Sequence, residues 1–536
     1  MQNKFYRQSG VALILTAFIL ALIATAYLLK SYDQNSLRVE QDKKTYLALN
    51  QAKQALIAWS ASHLYYPGQM PFPDRNGEPV PNYDGLSDCN SPTSTFSYSL
   101  LIGQLPVYGQ GNPCTAPQTG IGENYQDTQG NRLWYAVSRN LVHKYESAAI
   151  PPVDPIINPS IISNPVEPWL VVRDRNGNVI SNRVAAVIIA PGNVLTGQNR
   201  AGAAPNANQY LDSFSIGAAT YSNANYDMPN EDFIMGQDSR DITEADVSVT
   251  KPYQFNDKLV FITIDELMAA VTNRASAESS KLLSQYRAKN TQFPYAANLG
   301  ATPNNHASSG TNTKGLLPID MTDTCSCASA SSCSCSFNPI LNVVFRRGGG
   351  TAWTSSAGSC TPSGADCTCT GAGSCTRTTR TFSCDTNGLC THNVGGANNT
   401  YTYSVPSYAD IYSAGAGCII SGARAVCNNA GTLTIGLKEP DWFKTNLWQD
   451  YFYYEWSPLI ANLQAGLTTG VDAILIGTGD RLAITEARPT GSPIPPTSDI
   501  TYYLDSIENT NNDLVYDAVN KQKSNLHNDQ VYIISP

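Results

Sequence analysis

Fourteen cysteines offer the most chemistry in this 536-residue chain. Twelve lie close together: Cys325, Cys327, Cys333, Cys335, Cys360, Cys367, Cys369, Cys375, Cys384, Cys390, Cys418 and Cys427; Cys89 and Cys114 stand apart. Zinc sites favour a C-x₂-C spacing, and none occurs. The C-x-C pairs Cys325/Cys327, Cys333/Cys335 and Cys367/Cys369 instead suit disulfides to two different partners in an oxidising compartment. All fourteen are disulfide candidates, and their spacing leaves the connectivity open.

Carboxylates and amides give a second candidate. Asp74-Arg-Asn76-Gly-Glu78 places oxygen side chains at alternate positions, and Asp84 and Asp88 follow. A hard cation takes several oxygens from one loop, so Asp74, Asn76, Glu78 and Asp84 are calcium candidates. No Glu completes an EF-hand, and a solvated Asn-Gly turn is the competing reading. Asp174-Arg-Asn-Gly-Asn178 reads as a hairpin turn.

Nothing points to catalysis. His63, His143, His306, His392 and His527 are scattered, and no zinc-protease, nucleophile-elbow or phosphate-loop motif is present. Gly477-Thr-Gly479 reads as a strand-end turn. The expectation is a protein that is not an enzyme, with no catalytic residue and no metal beyond the calcium candidates. A net charge of −9 argues against a nucleic-acid partner. With 14% charged residues, 29 Tyr and 39 Gly, the composition is that of a β-rich exported protein.

The elements that must position these residues start with Val11 to Leu29, an uncharged run preceded by Lys4 and Arg7. As a helix it would cover about 29 Å, close to a bilayer core, and the flanking charges put the N-terminus in the cytoplasm. Three readings compete: a signal peptide cleaved after Ala24-Thr25-Ala26, a plain single-pass anchor, or a short leader ending at Gly10. Neither Pro nor Gly interrupts Val11 to Tyr66, so one amphipathic helix is expected to continue to Tyr66.

The rest of the chain repeats itself. Val184-Ala-Ala-Val-Ile-Ile-Ala-Pro-Gly192-Asn193 matches Val471-Asp-Ala-Ile-Leu-Ile-Gly-Thr-Gly479-Asp480. Gln209-Tyr-Leu-Asp-Ser213 matches Tyr502-Tyr-Leu-Asp-Ser506, and Phe255-Asn-Asp-Lys-Leu-Val-Phe-Ile-Thr263 matches His527-Asn-Asp-Gln-Val-Tyr-Ile-Ile-Ser535. Upstream, Asn131 to Ser138 matches Asp450 to Ser457, and Met70-Pro-Phe-Pro73 matches Gln292-Phe-Pro-Tyr295. Each copy reads as a helix, a Pro turn and then strands. A second helix, about Asp265 to Ala288, carries Glu266, Arg274, Glu278 and Lys281 and is no membrane segment. The expected divisions are 1–10 leader, 11–29 transmembrane helix, 30–66 stalk helix, 67–264 first module and 265–536 second module. A Cys-rich insertion occupies 320–430 of the second module.

The junction Arg7-Gln8-Ser9-Gly10 followed by Val11-Ala12-Leu13-Ile14-Leu15 resembles the class III signal of type IV pilins and type II secretion pseudopilins. The passage from Lys53 to Glu78, with Gln104-Leu-Pro106 and Leu133-Trp-Tyr-Ala-Val-Ser138, is similar to large pseudopilin-type proteins over residues 1 to about 140. The resemblance implies cleavage after Gly10, methylation at Val11, a prepilin peptidase, other pilins and an assembly platform as partners, and inner-membrane insertion with the bulk periplasmic. Most pilins carry Glu where this chain has Leu15, which departs from a shaft subunit and suits a filament tip. The implied fold is α+β: a long N-terminal transmembrane and amphipathic helix, then two pilin-like antiparallel β modules, the second carrying the Cys-rich β/loop insertion. The implied function is a non-enzymatic minor pilin at a filament tip or initiating position. The alternatives are a filament-borne adhesin binding through the insertion, and a membrane-tethered periplasmic protein with an activity of its own.

Overall fold

The computed structural model describes residues 9–535 except 76–82, 89–97, 110–119, 143–154, 239–254, 301–310, 483–498 and shorter breaks of up to six residues. Two compact units divide it. One holds the N-terminal helix and residues 68–155 and 166–270; the other holds 156–165 and everything from Val271 onward, with Leu64–Pro67.

In the first unit, helix α1 (Ser9–Ser62) buries Leu49, Ala52, Leu56 and Trp59. Their spacing of three and four puts them on one stripe, which packs on the sheet. The helix stops four residues short of Tyr66, where the chain turns through Gly68 (φ +100°), whose N–H donates to Ser60 O at 3.0 Å. The sheet comprises β1 (Ile102–Gln104), β2 (Trp134–Val137), β3 (Leu170–Arg173), β4 (Val179–Ala190), β7 (Asp232–Ile234) and β8 (Lys258–Thr263). A separate hairpin is formed by β5 (Ser213–Ile216) and β6 (Ala219–Ser222). Strand β4 is the spine: its apolar half, Val184 to Ala190, is fully buried between β2 and β8.

Helix α2 (Ile264–Asn290) begins with a capping box. Glu266 N–H donates to Thr263 Oγ1 and Thr263 N–H to Glu266 Oε2, satisfying two donors that a helix start leaves open. Lys53 Nζ on α1 donates to Glu266 Oε1 at 2.8 Å.

In the second unit, β9 (Lys314–Leu316) leads into an insertion of twelve strands in one sheet. They are β10 (Met321–Ser329), β11 (Ser332–Cys335), β12 (Asn342–Arg347), β13 (Ser355–Ser363), β14 (Asp366–Arg377), β15 (Arg380–Cys384), β16 (Cys390–His392), β17 (Asn399–Ser404), β18 (Asp410–Ala414), β19 (Cys418–Ser421), β20 (Arg424–Cys427) and β21 (Gly431–Leu437). The chain then completes a four-stranded sheet, β9-β22-β25-β27, and a three-stranded one, β24-β23-β26. These use β22 (Phe452–Trp456), β23 (Leu463–Ala465), β24 (Thr468–Val471), β25 (Ala473–Gly477), β26 (Val515–Tyr516) and β27 (Gln530–Ser535).

The repeat is visible in the registers. Trp134 pairs with Ile189 and Ile189 with Leu259; in the second unit Tyr453 pairs with Ile476 and Ile476 with Val531. Gly103 lies opposite Tyr135 as Gly315 lies opposite Tyr454. Tyr135 Oη donates to Pro71 O and Tyr454 Oη to Pro294 O, each at 3.2 Å. Pro71 therefore corresponds to Pro294, a one-residue shift from the pairing of the Pro turns drawn from the sequence.

Two expectations are corrected. The fold is dominated by β-sheet rather than by a transmembrane helix followed by two antiparallel pilin-like modules. The largest element is the twelve-stranded sheet, and two strand pairs, β3/β7 and β23/β26, are parallel. Among the described residues, no helix is long and apolar enough to cross a membrane, which overturns the single-pass inner-membrane placement.

Candidate functional site

Both repeats close on a buried carboxylate that gathers backbone N–H groups. In the first, Asp257 Oδ2 accepts from Asp212 N (2.8 Å) and Asn223 Nδ2 (3.0 Å), while Asp212 Oδ2 accepts from Asn256 N and Asp257 N. In the second, Asp529 Oδ2 accepts from Asp505 N (2.9 Å), Ser506 N (3.1 Å) and Asn509 Nδ2 (3.1 Å). Asn223 and Asn509 also do the same second job: their Oδ1 atoms accept from Ile234 N and Asp517 N. These shared bonds make Ile234 and Asp517 equivalent, as the repeat makes Phe255 and His527 equivalent.

The two environments diverge at those positions. Phe214, Ile234 and Phe255 form a closed apolar cluster in the first repeat, with Ile216 and Tyr221 against it. In the second, the corresponding Ile507, Asp517 and His527 line a cavity of about 710 Å³, together with Asp505, Ser506 and Lys521. Asp517 and His527 are at least nine-tenths buried. Lys521 Nζ donates to Asp517 Oδ1 at 2.7 Å and to Ser506 Oγ at 3.3 Å, and His527 Nδ1 stands 3.8 Å from Asp517 Oδ2. Burial, with help from Lys521, holds the His527 imidazole below its usual pKa and so favours its neutral form.

The polar replacement continues beneath the cavity. Trp134, Ala136 and Phe233 of the first repeat correspond by register to Tyr453, Glu455 and Tyr516. Glu455 is buried and accepts from both tyrosine hydroxyls, Tyr453 Oη at 3.1 Å and Tyr516 Oη. The cavity thus presents a cation, carboxylates, a hydroxyl and a neutral imidazole to an occupant.

In the first repeat the acids are covered. Gln198 Nε2 donates to Asp212 Oδ1 at 2.9 Å, and Arg200 lies 5.0 Å over the Tyr210 ring while donating to Gly192 O at 2.8 Å. Burial pushes Asp212 up to about 6, and burial with the Asp212 charge pushes Asp257 well up.

The calcium candidates fall differently. Asp74 Oδ2 is held by Arg132 Nη1 (2.5 Å) and Gly85 N (2.8 Å), and burial raises its pKa to about 8. Asp84 accepts from Leu86 N within its own turn. Gly85 brings Asp74 and Asp84 together; Asn76 and Glu78 lie outside the described residues. Gly10 and Val11 are within α1. Cys360–Cys369 and Cys367–Cys375 are disulfides. Cys360, Cys367 and Cys369 cluster closely enough to suggest a metal, but all three are bonded in those bridges. Cys89 and Cys114 lie outside the described residues, as do His143 and His306. His63 packs edge-on against Trp59 at 5.1 Å, and His392 lies in β16.

Sequence reading passed over His527 as one scattered histidine. The usable signal was its place in the repeat: a titratable residue where the matched block has Phe255. Compared with known proteins, the chain matches no family model, no curated protein and no solved structure.

Proposed function

We propose that this chain is a non-enzymatic minor subunit of a type IV pilus or type II secretion-like filament, at a tip or initiating position. The carrying observation is the outer part of α1. Ile14, Leu15, Phe18, Leu20, Leu22 and Ile23 are each more than half exposed. So much contiguous apolar surface marks an interaction site. Helices of neighbouring subunits, packed side by side, would cover it from all directions. The resemblance of the Gly10–Val11 junction to a prepilin signal supports the same reading, with a prepilin peptidase and an assembly platform as partners. Leu15, where most pilins have Glu, fits a subunit with no neighbouring amine to neutralise.

The test is incorporation. Phe18→Ser with Leu22→Ser should lower recovery in sheared filaments at least tenfold, while the circular dichroism of the purified chain stays unchanged. Unchanged recovery would remove the basis for the reading.

A second reading is a binding module carried on such a filament. The cavity around Asp517, Lys521 and His527 favours it, because the sister repeat fills the same position with apolar core. The Cys-rich insertion is the other candidate binding region.

A further inference from the structure

Strand pairing in the insertion places cysteines opposite one another with unusual regularity. Cys325 pairs with Cys335 and Cys327 with Cys333 across β10/β11. Cys360 pairs with Cys369 across β13/β14, Cys384 with Cys390 across β15/β16, and Cys418 with Cys427 across β19/β20. At Cys360 and Cys369 this register carries a disulfide. Directly opposed residues of an antiparallel pair have Cα atoms about 4.5–5.5 Å apart, inside the range a disulfide spans. No free cysteine is found among the described residues.

We propose that the twelve cysteines of the insertion form six local bridges: Cys325–Cys335, Cys327–Cys333, Cys360–Cys369, Cys367–Cys375, Cys384–Cys390 and Cys418–Cys427. One competing register exists, because Cys333 also lies opposite Cys390 across β11/β16. A bridge there would strand Cys327 and Cys384, whose only opposed cysteines are Cys333 and Cys390. The six-bridge set is the one pairing that uses every opposed cysteine, together with the disulfide between Cys367 and Cys375. That last bridge joins two positions of β14, with Cα atoms 6.1 Å apart. Eight extended residues would span about 26 Å, so the strand folds back between them. Gly373 lies in that stretch, where a Cβ would come within 2.3 Å of Ala357 O.

Cys325 and Cys327 are two residues apart, as are Cys333 and Cys335, so their bridges fall on adjacent rungs of one sheet face. Five of the six bridges lie within four hairpins, the β10/β11 hairpin carrying two, and none ties one hairpin to another. Four hairpins of the insertion are thus closed separately, while β12, β17, β18 and β21 of the same sheet carry no cysteine. Each new bridge forms one S–S bond from two thiols. The two protons and two electrons pass to a disulfide-bearing thiol oxidant, which leaves as its dithiol.

The test is a disulfide map of the purified full chain. Alkylation under denaturing conditions without reductant should label none of the twelve cysteines. Partial reduction in acid, cyanylation and cleavage at the modified cysteines should then return the six pairs. A labelled thiol among the twelve, a Cys333–Cys390 bridge or any bridge joining two hairpins would overturn the assignment. Paired variants give an independent reading. Cys325→Ser with Cys335→Ser should expose no new thiol, whereas Cys325→Ser with Cys333→Ser should expose two. Equal thiol counts in the two variants would also overturn it, and the wild-type map decides the matter if either variant misfolds.

Discussion

The two repeats share a backbone solution and differ in what fills it. Each uses a glycine strand against a buried tyrosine, a proline carbonyl that accepts that tyrosine's hydroxyl, and an aspartate that collects N–H groups through an asparagine. Around this frame the first repeat has Trp134, Ala136, Phe233, Ile234 and Phe255, and the second has Tyr453, Glu455, Tyr516, Asp517 and His527. A duplicated scaffold under stability pressure alone would keep its apolar interior, because each buried polar group must find a partner or cost free energy. The second repeat keeps an apolar core around Leu463, Ile474, Ile476 and Val531 but, where the first has Ile234 and Phe255, lines a cavity with hydrogen-bonding groups.

Exchanging the two solutions should show the largest effect. Phe255→His would put an imidazole in a closed apolar cluster and should destabilise by about 3 kcal/mol or more, combining lost packing with an unpaired polar group. His527→Phe with Asp517→Ile, which rebuilds the first repeat's cluster, should be neutral or stabilising in chemical denaturation. If both exchanges cost the same, the second repeat's polar residues are integral to its core, and the contrast between the copies fails.

The pH dependence should also separate the copies, with opposite signs. Asp212 titrates near 6 in the folded chain and near 3.8 unfolded, so the folded state holds the extra proton between those values. Stability from this group therefore rises as pH falls from about 6 towards 4. His527 is depressed below its ordinary 6.5, so the unfolded state binds the proton more readily, and stability falls as pH drops through that value. Thermal melting from pH 4 to 7 should show Asp212→Asn losing stability relative to the wild type towards pH 4, and His527→Gln gaining it. Parallel curves for both variants would contradict the assignment.

The smallest effect probes what the copies share. Tyr135→Phe and Tyr454→Phe each remove one buried hydroxyl bond to a proline carbonyl and should cost about 1 kcal/mol apiece. A difference between the two well beyond that figure would mean that the frames are not equivalent.

Much of this frame was legible in the sequence. The apolar blocks at Val184 and Val471 became the buried spine strands, and the Asn-Asp steps at Asn256 and Asn528 became the carboxylate turns. The second helix, expected at about Asp265, begins at Ile264 behind the Thr263/Glu266 capping box. These features are local, and periodicity or a cap can reveal them. The cavity was not legible: Asp517 and Lys521 pair locally at i,i+4, but only the fold brings Ser506 to Lys521 and His527 to Asp517. The partner of Asp74 was also not legible, because Arg132 lies 58 residues away in sequence. The end of α1 at Ser62 was missed because the chain turns through Gly68, whose N–H donates to Ser60 O. The membrane placement rested on the apolar run, its flanking charges and the prepilin-like junction; among the described residues no helix is long and apolar enough to cross a membrane, and Ile14, Leu15, Phe18 and Leu22 of α1 stand exposed.

The most direct measurement is the mature N-terminus of the chain recovered from cells with an active prepilin peptidase, by intact mass and N-terminal sequencing. A filament subunit should begin at a methylated Val11. A chain that still begins at Met1 in those cells would contradict the account.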